Sequence, residues 1–273
     1  MQDTYNNIKT LPVVMTIAGS DSGGGAGIQA DLKTIATIGG YGTSVITVIT
    51  AQNTLKVSGI YPIPTNFIRK QFNAIITDFN VSAIKTGMLT DIETIKCVAT
   101  LIKKSGIKNY VLDPVMVATS GSKLVTEDIV DAIKKKLIPL AKIITPNIPE
   151  AEVLLNKKLK TINDMEVFAF ELLKLGSEAV LLKGGHLKED TIIDVFVAKN
   201  FQPHKIYKKE KIITKNTHGT GCNLSSALAT YLTQNYGWEK TIELAEKYIH
   251  NSIYISSNYK IGNGNGPLLQ WMP

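Results

Sequence analysis

The property of this chain that most narrows its possible folds is a regular alternation between two hydrophobic periodicities. Short β-branched apolar runs at 12–18, 43–50, 81–85, 109–113, 142–145, 179–183 and 192–198 are separated by stretches with apolar residues every three or four positions, at 26–38, 65–77, 91–104, 126–137, 163–175, 221–234 and 238–257. The first kind reads as strands and the second as amphipathic helices, several of them opened by Asp, Thr or Asn. Because the strand runs are continuously apolar, both faces of each strand are expected to be buried. That predicts an α/β fold, with a parallel central sheet and helices on both faces. No low-complexity linker or repeat divides the chain, so a tail over residues 1–10 and one domain over 11–273 are expected. Segment 55–64, with Val57, Ile60, Tyr61 and Ile63 among Gly59, Pro62 and Pro64, reads as a small β excursion and a candidate lid element. In open α/β sheets ligands lie beyond the carboxyl ends of the strands. The loops at 19–25, 51–54, 86–90, 113–122, 145–150, 184–190 and 216–222 are therefore where chemistry is expected.

Composition excludes several function classes. A hydrophobic content of 44% with 19% charged residues is that of a globular protein, not a disordered or collagen-like one. Two cysteines, Cys97 and Cys222, are too few for a disulfide framework and point to a reducing compartment. The apolar stretch Leu11 to Ala18 lacks the basic flank of a signal peptide, and no run reaches the length of a membrane span, so a cytoplasmic protein without a membrane partner is expected. The net charge of +7 raises the question of nucleic acid, but Arg69 is the lone arginine, so the fork that reads guanine is almost absent. The lysines read as a solvated surface, and no nucleic-acid partner is expected. Any phosphate the protein holds must then be gripped by backbone N–H groups, lysine or a metal ion.

Three motifs carry chemistry. Asn216-Thr217-His218-Gly219-Thr220-Gly221-Cys222 runs straight into a helical pattern, and free N–H groups with the positive end of the helix dipole make an anion site there. The same dipole is expected to favour the Cys222 thiolate, whereas Cys97, in mid-helix, reads as packing. Asp113 and Glu150 follow strand runs and would share one rim, suited to a magnesium ion bridged to phosphates. Lys183 closes another strand on that rim, as a cation for phosphate charge. The Gly19–Gly27 loop is not a Walker loop. Its Gly25-x-Gly27-x-x-Ala30 match to the dinucleotide fingerprint fails because no acidic residue stands between Asp31 and Asp78 to hold a ribose. His186 and His218 lack ligand-spaced partners for zinc.

The ordered set Ala18-Gly-Ser-Asp-Ser-Gly-Gly-Gly-Ala-Gly-Ile-Gln-Ala-Asp31, Ala51-Gln-Asn-Thr54, Lys85-Thr-Gly-Met88, Asp113-Pro-Val-Met-Val117, Thr145-Pro-Asn-Ile-Pro-Glu-Ala151, Lys183-Gly-Gly-His186 and His218-Gly-Thr-Gly-Cys222 resembles the hydroxymethylpyrimidine/phosphomethylpyrimidine kinases, over nearly the whole chain. The resemblance implies a ribokinase-like fold with a mostly parallel sheet, a homodimer, and the use of ATP and Mg2+. It also implies two successive phosphoryl transfers, to 4-amino-5-hydroxymethyl-2-methylpyrimidine and then to its monophosphate. On this chain it assigns Gln52 to the pyrimidine, with Ala26, Asp31, Met88 and Val115 lining that pocket. Cys222 would be the catalytic base beside Gly219, Thr220 and Gly221. Lys183, Thr217, Gly219 and Gly221 would hold phosphate, and Asp113 and Glu150 the metal. Two departures from the family pattern stand out: Thr119-Ser120-Gly121 where Lys-Ser-Gly is usual, and Asn223 where Thr is usual. A pyridoxal kinase on the same framework is the rival reading; such enzymes carry a second cysteine at the position of Ala118.

Overall fold

A computed structural model describes residues 9–116, 126–159, 161–185 and 190–270. The apolar run that begins at Val13 forms β1 (Val13–Asp21), almost entirely buried, and the rest of the sheet is laid out around it. The strands are β1, β2 (Tyr41–Gln52), β3 (Val57–Pro62), β4 (Val81–Thr86), β5 (Tyr110–Leu112), β6 (Ile143–Ile144), β7 (Ala179–Leu182), β8 (Thr191–Ala198) and β9 (Phe201–Glu210). They form one nine-stranded sheet in the order β3-β2-β1-β4-β5-β6-β7-β8-β9. Pairings from β2 to β7 are parallel, while β3, β8 and β9 join antiparallel at the two edges. The chain leaves β1 toward one edge and returns to β4 on its other side, so the sheet's switch point lies between β1 and β4. A crevice at their carboxyl ends follows from that reversal.

Eight α-helices cover the sheet: α1 (Gly27–Thr37), α2 (Thr65–Ile76), α3 (Ile92–Ser105), α4 (Glu127–Ala132), α5 (Ile148–Leu155), α6 (Asp164–Leu173), α7 (Thr220–Leu232) and α8 (Trp238–Ser256). Buried residues of α2 to α6 pack in one core with Met15, Ile17 and Ile84, and those of α1, α7 and α8 in a second with Val14, Ala83 and Val111. Alternate residues of the same strands thus feed opposite cores, as the continuous strand hydrophobicity requires. Helix α7 is buried on almost every side, its polar residues included. Its hydroxyls are satisfied internally: Ser225 donates to the Gly221 carbonyl (2.9 Å) and Thr230 to that of Ser226 (2.8 Å).

The structure departs from the sequence reading at three places. Strand β9 escapes the hydrophobic pattern because it is a lysine-bearing edge, half-exposed along its length. Helix α5 begins inside the loop expected over 145–150; it is nucleated by a capping box in which Asn147 accepts from the Glu150 N–H and Glu150 accepts from the Asn147 N–H, both at 2.9 Å. The helix expected over 126–137 changes to a π turn after Ala132. The β excursion expected over 55–64 is present as β3, an antiparallel edge strand on β2. Residues 1–8 of the expected tail lie outside the described residues. No helix among the described residues is long and apolar enough to cross a membrane.

Candidate active site

At the head of α7, Gly219 has φ +81°, and a Cβ there would lie 1.9 Å from the Gly25 carbonyl oxygen, so two backbones meet with no room for a side chain. The loop after β1 and the loop before α7 are thereby pressed together. Asn223, the unusual residue of this motif, is buried; it donates to the Gly219 carbonyl (2.7 Å) and accepts from Thr34 (2.6 Å), bracing the turn from within. Thr220 donates its hydroxyl to the Thr217 carbonyl (2.7 Å), and Thr217 itself is exposed. A Cβ on Gly221 would lie 3.2 Å from Lys183 Nζ and 3.3 Å from Asp113 Oδ2. The helix start therefore faces the expected cation and acid.

Asp113 ends β5 and Lys183 ends β7, and their side chains meet at 3.2 Å with little exposure. Thr145 also donates to Asp113 (3.2 Å). Glu150 is buried beside them, with backbone N–H bonds from Asn147 and Met116. Burial raises its carboxyl, the Lys183 ammonium opposes that, and the Asp113 charge adds to it. Burial pulls the Lys183 ammonium down, but the charges of Asp113 and Glu150 outweigh it and hold the group protonated. Two carboxylates thus share one lysine, a surplus of oxygen donors that fits a hard cation. Among the described residues no group of three or more His, Cys, Asp and Glu side chains gathers as a metal cage. Asp113 and Glu150 would hold a magnesium ion by one or two carboxylates, its shell completed by phosphate and water.

Beneath this rim lies an ion pair. Lys85 Nζ bonds both Asp31 oxygens at 2.9 Å, and neither side chain has any exposure. Thr16 (2.6 Å) and Ser226 (2.8 Å) donate to the same carboxylate. Asp31 therefore clasps β1, β4, α1 and α7 together, its oxygens taken up by Lys85, Thr16 and Ser226. Lys85 was missed as a functional residue, although a lysine ending the apolar run Val81-Ser82-Ala83-Ile84 was a signal that the strand buries a charge. For Cys222, one turn from Ser226, the expected thiolate is corrected. Burial pushes its thiol up to about 11; the Lys85 ammonium and a bond from the Gly27 N–H oppose this, while the Asp31 and Asp113 charges reinforce it. The helix dipole does not win, because desolvation and the nearby Asp31 and Asp113 charges outweigh it.

Across the crevice, Gln52 ends β2. It is joined by two residues that sequence reasoning left without a role, Asp21 and His218. His218 Nε2 lies 3.0 Å from Asp21 Oδ2 and 3.3 Å from Gln52 Nε2. Asp21 also accepts from the N–H groups of Gly23 (2.8 Å), Gly25 (3.1 Å) and Ala26 (2.9 Å), which shapes the glycine-rich turn. Burial raises its carboxyl, but the His218 bond and those N–H groups outweigh it and leave it below the usual range. Ala26 is thus brought into the Gln52 cluster. Met88 reaches the same turn, its Cε 3.5 Å from the place of a Cβ on Gly19. Val115 is half-buried and stands on the Asp113 side, its N–H bonded to the Asp113 carbonyl (2.9 Å). Ala118, Thr119, Ser120, Gly121 and His186 lie outside the described residues.

A doubly covered, mainly parallel sheet whose switch-point loops bring a planar amide beside a glycine-headed helix start is the architecture of the ribokinase-like kinases. Comparison with known sequences narrows this. The phosphomethylpyrimidine kinase family model matches residues 21–269, and the chain belongs to that family. It is 41% identical over 259 residues to the hydroxymethylpyrimidine/phosphomethylpyrimidine kinase of Rhizobium meliloti, covering 94% of this chain and 96% of that one. It is 45% identical over 256 residues to the thiamine biosynthesis bifunctional protein of Geobacter sulfurreducens, covering 93% of this chain. The chain spans only 51% of that longer relative. Among solved structures, the pyridoxal kinase of Staphylococcus aureus in complex with AMP-PCP and pyridoxal superposes with a TM-score of 0.87 at 30% identity, over 96% of this chain and 94% of that one.

Proposed function

We propose that the chain transfers phosphate from ATP to 4-amino-5-hydroxymethyl-2-methylpyrimidine, and then to the resulting monophosphate to give the diphosphate. The observation that supports this best is a convergence at one end of the sheet: the Gln52 amide lies against His218, which leads straight into the Gly219–Gly221 helix start, and Lys183 and Asp113 face Gly221. An amide offers an acceptor and a donor in one plane, which match an exocyclic amine beside a ring nitrogen. Phosphoryl transfer asks mainly for positioning and charge neutralisation. The free N–H groups heading α7 and the Lys183 ammonium supply these, and Asp113 and Glu150 would hold Mg2+. That ion would contribute neutralisation of phosphate charge. Cys222 accepts the hydroxyl proton in the first transfer.

Similarity to a pyridoxal-bound kinase supports a second reading, in which pyridoxal is the acceptor. A homodimer is part of the first reading: Leu55, Ile60, Tyr61 and Phe67, in and around β3 and at the start of α2, are each more than half exposed, apolar surface that a second copy would cover. A cytoplasmic site of action fits the two free cysteines. The test is ATP consumption by the purified protein with the hydroxymethylpyrimidine, its monophosphate and pyridoxal side by side. Turnover with both pyrimidines is expected, and turnover with pyridoxal alone would overturn the assignment.

A further inference from the structure

The contacts around Gln52 contain a conflict of donors whose resolution identifies a specificity residue. A carboxylate only accepts hydrogen bonds, so His218 Nε2, 3.0 Å from Asp21 Oδ2, carries a proton. An amide nitrogen only donates, yet Gln52 Nε2 lies 3.3 Å from that same ring nitrogen. The other end of the amide has a matching fault. Thr50 has one hydroxyl proton, which goes to the Ser20 carbonyl at 2.9 Å, yet Gln52 Oε1 faces the same hydroxyl oxygen at 3.3 Å. Exchanging the amide oxygen and nitrogen, which have nearly the same shape, removes both faults at once. The carbonyl then receives the His218 N–H, shared with Asp21, and the amide nitrogen donates to a Thr50 lone pair.

On this basis we infer that His218, anchored by Asp21, is a specificity-determining residue that locks the Gln52 amide with its carbonyl toward the α7 loop and its nitrogen toward Thr50. The inference rests on the reading of Gln52 as the group that binds the pyrimidine. The imidazole is well placed for the task. The His218 main-chain N–H donates to the Gly266 carbonyl (3.0 Å) and fixes the backbone, and the ring fills the space that a Cβ on Gly25 would occupy, 2.5 Å from Cδ2. Once His218 and Thr50 hold the flanks of the amide, its outer edge keeps one carbonyl lone pair and one N–H, in a fixed order. An aminopyrimidine must then dock with its amine on the His218 side and its ring nitrogen on the Thr50 side. In 4-amino-5-hydroxymethyl-2-methylpyrimidine the hydroxymethyl carbon neighbours the amine-bearing carbon. The lock therefore directs the alcohol toward Gly219–Cys222, whereas a reversed amide would turn the ring over and send it away. An acceptor ring without an amine in that position cannot use the ordered edge, so the lock also selects against pyridoxal.

The experiment compares His218→Phe, His218→Gln and Gln52→Ala, with each substrate assayed separately, alongside 15N NMR of the histidine side chains. The expected signal for His218 is a protonated, hydrogen-bonded Nε2. His218→Phe should lower kcat/KM for the pyrimidine alcohol by roughly tenfold, as for one lost hydrogen bond to a polar partner. It should leave affinity for AMP-PCP within about twofold and narrow the preference over pyridoxal. His218→Gln, which returns an N–H near the position of Nε2, should recover most of the loss. If Gln52→Ala leaves the pyrimidine KM unchanged, the binding role of Gln52 itself falls. If Gln52→Ala damages the reaction while His218→Phe does not, or if Nε2 proves unprotonated, the lock alone is refuted. Should His218→Phe fail to fold, His218→Gln and the NMR signal still decide the matter.

Discussion

Replacing Cys222 with alanine separates the two phosphoryl transfers, because their acceptors differ in one proton. The first acceptor is an alcohol that must be deprotonated, and the second is a phosphate monoester whose oxygen is already anionic near pH 7. Burial pushes the Cys222 thiol up to about 11. At pH 7 only about one site in ten thousand then holds the thiolate. The supply of this base rises tenfold per pH unit, and kcat/KM reports the groups of the free enzyme. For the wild-type protein, log kcat/KM with the alcohol should therefore climb with a slope near one from about pH 7 to about pH 10. Cys222→Ala should abolish the slope and lower the first transfer by roughly 10² to 10⁴, the span of a positioned general base. The second transfer should fall less than about threefold by the same reasoning. Quenched-flow single turnovers with each substrate across this pH range measure both. Equal losses in the two transfers, or a wild-type inflection below about 8.5 where an ordinary thiol titrates, would refute the argument.

Lys85→Met strands the Asp31 carboxylate at zero exposure with only the Thr16 and Ser226 hydroxyls as donors. Breaking a buried pair from one side costs about 3–5 kcal/mol, or on the order of 10 °C in Tm for a domain of this size. Circular-dichroism melts should show that fall, and adding Asp31→Asn should restore most of it; a shift under about 3 °C by the same scaling would contradict the clasp. Glu246 provides a pH test away from the crevice. Lys209 bonds both Asp194 (2.8 Å) and Glu246, and Asp194 in turn accepts from the Gly184 N–H (2.7 Å) beside Lys183. Burial raises the Glu246 carboxyl above its ordinary 4.5, the Asp194 charge adds to this, and Lys209 opposes it. The folded state then holds a proton that the unfolded state has released, so stability contributed here declines as pH rises from 4.5 through the raised value. Tm measured from pH 5 to 8 should turn progressively in favour of Glu246→Gln over the wild type, and parallel curves would show that the group does not titrate.

Much of the molecule was legible before folding because its signals are local. The seven apolar runs each became a strand, since burial on both faces demands residues that no other environment tolerates in sequence. The glycines at 219 and 221 were legible for a similar reason: a helix start that admits a phosphate leaves a short, contiguous pattern. What misled the reading were effects whose partners lie far along the chain. Strand β9 exists because β8 offers an edge, not because its lysine-rich sequence asks for one. Asp31 carried no local sign of the partners that hold it, Lys85, 54 residues on, and Ser226, 195 residues on. The Cys222 thiol was judged by the helix it starts, whereas its charge state depends on desolvation and on two carboxylates from other elements.

The amino-acid order by itself determined the layered α/β class, the crevice loops and the chemical inventory available there, because periodicity, glycine placement and side-chain type are properties of short windows. Only the tertiary structure decided which of those groups stay charged, which are used up in holding the elements together, and that Asp21, Gln52 and His218 form one cluster. Burial, Coulomb energy and the direction of a hydrogen bond depend on distance in space, and distance between residues far apart in the chain is set only when the whole sheet closes.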